Sequence, residues 1–168
     1  MIAAVRRLGR LSLVAIVPLL LGGSSRPDLY VIPLLGTGVG SRLTGLATLT
    51  PARSPFGLAT TRDGHFIFEI AVEVPLLPPP TAFSPAATGY VAWVTTANLD
   101  RIERIGPLVA GTKARGKVAM AKFLVVITAE SGAGGAKWAG PIVMRGTSAS
   151  SYLTNFSGHT MFNGGVPQ

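Results

Sequence analysis

Three apolar runs of strand length, each closed by turn residues, fill residues 89–146 and constrain the fold more than any other feature of the chain. Residues 90–95 (YVAWVT) stop at Ala97-Asn98-Leu99-Asp100, residues 123–129 (FLVVITA) end a longer segment at Glu130, and 138–145 returns after Ser131-Gly132-Ala133-Gly134-Gly135. β-Branched and aromatic residues occupy the runs, while Gly, Pro, Asn and Asp occupy the gaps. That division predicts an antiparallel β-domain. The run 123–129 is apolar at both parities, which predicts a central strand covered on both faces. Trp93 and Trp138 are expected to fill the core between two sheets.

Earlier in the chain the pattern is alternating. In 65–74 (HFIFEIAVEV), Phe66, Phe68, Ile70, Val72 and Val74 share one face, and His65, Ile67, Glu69, Ala71 and Glu73 share the other. This predicts a half-buried strand with its acids in solvent. Thr61-Arg62-Asp63-Gly64 before it is a hairpin signal, because Asp-Gly suits a turn that needs positive φ. Residues 43–50 and 54–60 are short strand candidates split by Pro51. Residues 76–89 (LLPPPTAFSPAATG) hold too many prolines for a strand ladder and predict a crossover loop.

The two ends differ from this middle. Arg6, Arg7 and Arg10 precede the apolar run 11–21 (LSLVAIVPLLL), and small residues follow at Gly22-Gly23-Ser24-Ser25. This is the layout of a signal peptide or signal anchor, with the arginines staying in the cytoplasm. The run is short for a spanning helix and Pro18 interrupts it, which makes cleavage after Ser24 or Ser25 the default, whereas the missing alanine pair tips the expectation slightly towards an uncleaved anchor. Residues 1–25 are therefore expected as signal or anchor, 26–41 as a linker or irregular first strand, 42–146 as the β-domain and 147–168 as an extended tail.

Chemistry is sparse. Cysteine is absent, so disulfides, thiolate metal sites and cysteine nucleophiles are excluded. His65 and His159 stand far apart, and His159 with Met161 has the donor types that suit copper without the number of ligands a site needs. Glu69 and Glu73 fall about 13 Å apart along a strand, beyond the spacing of paired catalytic carboxylates. Glu130 closes a buried strand and is expected to ion-pair with Lys122, Lys137 or Arg145 rather than to act as an acid. No Gly-x-Ser-x-Gly motif occurs, and Gly36-Thr37-Gly38-Val39-Gly40 lacks the Lys-Ser/Thr and strand–helix frame of a phosphate loop. No catalytic residue, cofactor, metal or small-molecule substrate is expected. The net charge of +8 points to an anionic membrane surface or an acidic protein face, and scattered basic residues without a recognised motif speak against nucleic acid. Arg101, Arg104, Lys113, Arg115, Lys117 and Lys122 cluster loosely around turns between the strands at 90 and 123.

Read together, 90–146 resembles the extracytoplasmic C-terminal domain of RskA-type anti-sigma factors. The matching elements are Tyr90-Val91-Ala92-Trp93, Ile105-Gly106-Pro107-Leu108, the strand closing at Glu130, the glycine-rich 131–135 and Gly140-Pro141-Ile142-Val143-Met144-Arg145-Gly146. The resemblance implies an immunoglobulin-like β-sandwich behind a membrane. It does not carry sigma-factor binding, because the chain has only ten residues before its apolar run where that family places a helical domain.

The expectation is thus a non-enzymatic structural subunit at the periplasmic face of a bacterial inner membrane, bracing a larger integral-membrane complex. Photosynthetic reaction-centre–antenna and respiratory assemblies are the host classes considered. The expected partner or lipid contacts are Arg6, Arg7, Arg10, Tyr30, Arg101, Arg104, Lys113, Arg115, Lys117, Tyr152, Phe156 and Phe162. A free periplasmic ligand-binding module is the alternative, and a copper-handling protein using His159 and Met161 is a third.

Overall fold

A computed structural model describes residues 28–132 and 135–152 of the chain. Its strands are β1 (Val31–Gly36), β2 (Thr44–Pro51), β3 (Arg53–Ser54), β4 (Gly57–Leu58), β5 (Phe68–Glu73), β6 (Gly89–Thr95), β7 (Ile102–Leu108), β8 (Lys113–Val118), β9 (Leu124–Glu130) and β10 (Ile142–Thr147). Eight of them form one sheet in the order β7-β6-β9-β10-β1-β2-β5-β8, and β3 and β4 form a separate small hairpin. Every paired strand is antiparallel. A single helical turn, α1 (Ala149–Tyr152), follows β10.

The sheet curls until its two outer strands meet. β7 and β8 touch where a Cβ on Gly116 would lie 3.1 Å from Ile105 Cγ2, so the glycine is what lets the backbones approach. The fold is therefore all-β in a nearly closed sheet. Alternate residues of β1, β2, β5, β6 and β9 face inward: Ile32 and Leu34, Ala47 and Leu49, Ile70 and Val72, Val94, Val125 and Ile127 are all buried in one cluster. Burial of each larger aliphatic side chain stabilises the fold by about 1.5–3 kcal/mol.

The alternation expected for 65–74 holds in β5, with Ile70, Val72 and Val74 buried. Phe66 departs from it. The strand begins only at Phe68, and Phe66 joins Thr60 in an isolated bridge with its side chain 55% exposed. The turn before it forms as the Asp-Gly pair predicts, with Gly64 at φ 81° and Thr61 N donating to His65 O at 2.8 Å. Residues 31–36 take the strand form of the two expectations held for them. Leu49 N donates to Tyr30 O, so ladder alternation puts Pro33 opposite Leu46 at a position needing no N–H toward β2. On its other side β10 pairs with β1 only at Leu35 and Gly36.

Two further expectations are corrected. Trp93 is fully buried but lies outside the main core, on the opposite face of β6 and β9, with Val91 and Val126. Trp138 packs edge-on over it with ring centres 6.1 Å apart. Both parities of β6 and β9 are apolar, and Trp138 packs against the second face. The stretch between β6 and β9, expected as turns, contains the strands β7 and β8.

Candidate functional site

Exposed aromatic side chains gather at one end of the sheet. The chain enters there at Asp28, whose carboxylate accepts from Tyr30 N at 3.0 Å. Tyr30 is half-exposed, its ring 6.2 Å from that of Phe68. Beyond the ends of β2 and β5 the chain continues into the β3–β4 hairpin. Ala52 N donates to Ile67 O, Ala59 N to Ala52 O and Ile67 N to Ala59 O, so hairpin and following turn form one small ribbon. At its tip Gly57 takes φ 123° and Phe56 N reaches Ser54 Oγ at 3.4 Å. Phe56 is fully exposed at 101%, and Leu58 and Phe66 on the same ribbon are more than half exposed.

Between this ribbon and the end of the core runs an apolar groove of ≈ 380 Å³, lined by Leu29, Tyr30, Leu49, Phe66, Phe68, Met120 and Phe123. His65, Ser148 and Ser150 supply its polar rim. Ser148 fixes the floor: its N donates to Phe123 O at 3.0 Å and its Oγ accepts from Phe123 N at 3.1 Å. Ser150 Oγ donates to Ala121 O, tying α1 to the loop before β9. The last residues of the fold thus leave from the wall of the groove that its first residues also line.

A second feature is electrostatic. Lys113, Arg115 and Lys117 alternate along β8 and point outward. With Thr48, Thr50 and Glu69 they line a shallow groove of ≈ 450 Å³. Register places Glu73 opposite Lys113, Ala71 opposite Arg115 and Glu69 opposite Lys117. Only the first of these pairs closes as an ion pair, at 3.3 Å. Arg104 lies on β7, opposite Trp93, and Arg101 precedes it, 2.5 Å from Glu103. The structure therefore brings the β8 cations together on one face and leaves Arg101 already engaged. Arg104, Lys113, Arg115 and Lys117 sit on the edge strands β7 and β8, whereas Arg101 and Lys122 stay in the connections, and cations on edges also discourage edge-to-edge pairing.

Glu130 makes no ion pair with Lys122, Lys137 or Arg145. It is 3% exposed, and its Oε1 accepts from Thr128 Oγ1 at 2.6 Å. Oε2 accepts from the backbone N–H groups of Ala139 and Gly140 at 3.2 and 3.1 Å. Thr128 Oγ1 in turn accepts from Trp93 Nε1 at 2.9 Å. Ala139 and Gly140 supply donors at hydrogen-bond distance, so no cation is required.

Of the contacts expected from sequence, Tyr30, Arg101, Arg104, Lys113, Arg115 and Lys117 are placed as above. Tyr152 ends α1. Arg6, Arg7, Arg10, Phe156, Phe162, His159 and Met161, and the apolar run 11–21, lie outside the described residues. Among the described residues no three His, Asp or Glu side chains gather as a metal site, and no helix is long and apolar enough to cross a membrane. Sequence reasoning missed Phe56 and Leu58. The signal was Ser54-Pro55-Phe56-Gly57, an apolar side chain set between two turn formers. The chain matches no protein-family model, no curated protein and no solved structure.

Proposed function

We propose that this chain is a non-enzymatic structural subunit held at the periplasmic face of a bacterial inner membrane, where it braces a larger integral-membrane complex of the bioenergetic kind. The observation that carries this reading is the exposure of large apolar side chains at both ends of a well-packed β-body. Phe56, Leu58 and Phe66 mark one end, and Val39, Leu76 and Val109 mark the other. Contiguous apolar exposure is a feature of protein or membrane contact surfaces. The basic N-terminal sequence and its apolar run support a membrane address, and the β8 cations offer a face to acidic partner loops or lipid head groups. The finer architecture proposed is an immunoglobulin-like sandwich, with β7-β6-β9-β10 and β1-β2-β5-β8 as the two layers. The likeness of 90–146 to the extracytoplasmic domain of RskA-type anti-sigma factors supports it.

The test is extraction of native membranes in mild detergent, followed by size separation and intact-mass analysis. The expected result is the chain co-migrating with integral-membrane proteins in a large assembly. A chain that runs alone as a small species overturns the reading. One observation favours a second reading, a free periplasmic binding module: the apolar groove with His65, Ser148 and Ser150 on its rim has the make-up of a small-molecule site. A mature chain that begins after Ser24 or Ser25 and carries a bound apolar molecule would establish that alternative.

A further inference from the structure

We propose that the small ribbon carrying Phe56, Leu58 and Phe66 dips into the surface of an anionic lipid bilayer, so that this end of the fold faces the membrane and the Val39–Val109 end faces away. The inference rests on the membrane-associated reading above and names the surface that makes the contact.

Three observations converge on a bilayer as the occupant. The first is the side-chain chemistry. Phe56 stands free at a hairpin tip with no packing role in the fold, and Phe66, Leu58, Leu29 and Tyr30 are exposed on the same end. Tyr is concentrated at the membrane–water interface, and Phe and Leu make up the apolar face of segments that lie in it. The exposed side chains of the opposite end, Val39, Leu76 and Val109, are aliphatic.

The second is charge. Arg53 opens the hairpin and Arg62 sits in the adjoining turn, both exposed. Asp63 is the only acid on the ribbon 52–67. Cations flanking an apolar tip match anionic head groups above acyl chains, and each basic residue near such a surface adds to the attraction.

The third is distance along the chain. The described fold begins at Asp28 on this same end, and only six residues, seven Cα–Cα steps, lie between it and Leu21, the last of the apolar run. Seven such steps reach about 25 Å at full extension. If the run 11–21 is in the bilayer, this end of the fold cannot stand far from it, whereas the opposite end lies a sheet's length further away.

The absence of cysteine makes the test direct. Full-length Phe56→Cys and Val39→Cys variants, each labelled with an environment-sensitive fluorophore, are reconstituted with vesicles of phosphatidylcholine and phosphatidylglycerol and separated by flotation. Both substituted side chains are solvent-exposed, so neither change removes core packing. The expected result is severalfold brighter, blue-shifted emission from position 56 and an unchanged aqueous spectrum from position 39. Floated protein whose position-56 label stays aqueous overturns the inference and leaves the membrane-associated reading standing. Equal responses at both positions overturn the one-ended orientation. Protein that does not float at all overturns the inference together with the reading beneath it.

Discussion

Glu130 shows how a carboxylate is buried without a cation. Three donors converge on it, and Thr128 serves both as its donor and as acceptor for the Trp93 indole. Thr128→Val keeps the shape but leaves the indole N–H buried without an acceptor and removes one bond from the carboxylate. The expected loss is about 2–4 kcal/mol, because an unsatisfied buried donor is added to a lost charge-assisted bond. Urea unfolding followed by tryptophan fluorescence reads it as a lower midpoint with an unchanged slope. A midpoint equal to that of the parent chain would show the network to be incidental. Tyr90 gives a second prediction at this scale. Its hydroxyl donates to Pro78 O at 2.8 Å, its ring meets Phe83 edge-on, and burial raises its pKa above the ordinary 10.0. The fold resists ionising this phenol, so the unfolded chain loses the proton first. The stabilising contribution is full below about pH 10 and is lost as pH rises through the raised folded value. Tyr90→Phe is expected to lose about 1 kcal/mol at neutral pH and to flatten the alkaline decline. Melting curves from neutral pH upward check this, and parallel declines in both chains would rule out Tyr90 as the source.

Among the elements, the seam between β7 and β8 decides how nearly the sheet closes. Gly116 admits Ile105, whose Cα would stand 3.4 Å from an added Cβ. Gly116→Val is therefore expected to destabilise by about 1–3 kcal/mol through overpacking. Gly89→Ala, whose added Cβ meets nothing within 4 Å, is the control and should change stability by less than about 0.5 kcal/mol. Equal losses in the two variants would remove the steric account of the seam. These same two strands mark where the sequence stopped being readable. β6, β9 and β5 announced themselves by long apolar or alternating runs, and the turn at Gly64 by its Asp-Gly pair. β7 carries Glu103, Arg104, Gly106 and Pro107, and β8 carries three cations and a glycine. Edge strands tolerate all of these, since one side of their ladder is unpaired. What remains of the periodic signal is Ile105 with Leu108, and Ala114 with Val118. The tryptophans were misplaced for the opposite reason: β6 and β9 are apolar on both faces, so parity could not say which face held the larger core. Of the candidate site, Tyr30 and the three β8 cations were legible as residues, but their grouping needed strand register. Phe56 was invisible to periodicity, because exposure at a hairpin tip has no period, and its one signal was its place between the turn formers Pro55 and Gly57.

For the whole molecule, the proposed membrane association can draw on two forces, charge and apolar contact, and the charge distribution separates them. All seven acids lie between Asp28 and Glu130, while Arg6, Arg7, Arg10 and Arg26 precede them without a counterpart. Attraction to anionic lipid therefore has a source at the N-terminal end of the chain and another on β8. Both are exposed to screening: raising ionic strength from about 0.1 to 1 M shortens the Debye length from about 10 to 3 Å. Apolar contact by the run 11–21, and by Phe56 with its neighbours, is not weakened by that change. The two contributions thus respond differently to a single variable. Native membranes washed at high salt are expected to retain the chain in the pellet, with only detergent releasing it. Release by salt alone would mean that the cations do the holding, and it would remove the need for either the anchor or the Phe56 end to enter the bilayer. Retention combined with an aqueous position-56 label would assign the holding to the N-terminal run, with the β-fold standing above the lipid and both of its apolar ends free to grip protein partners.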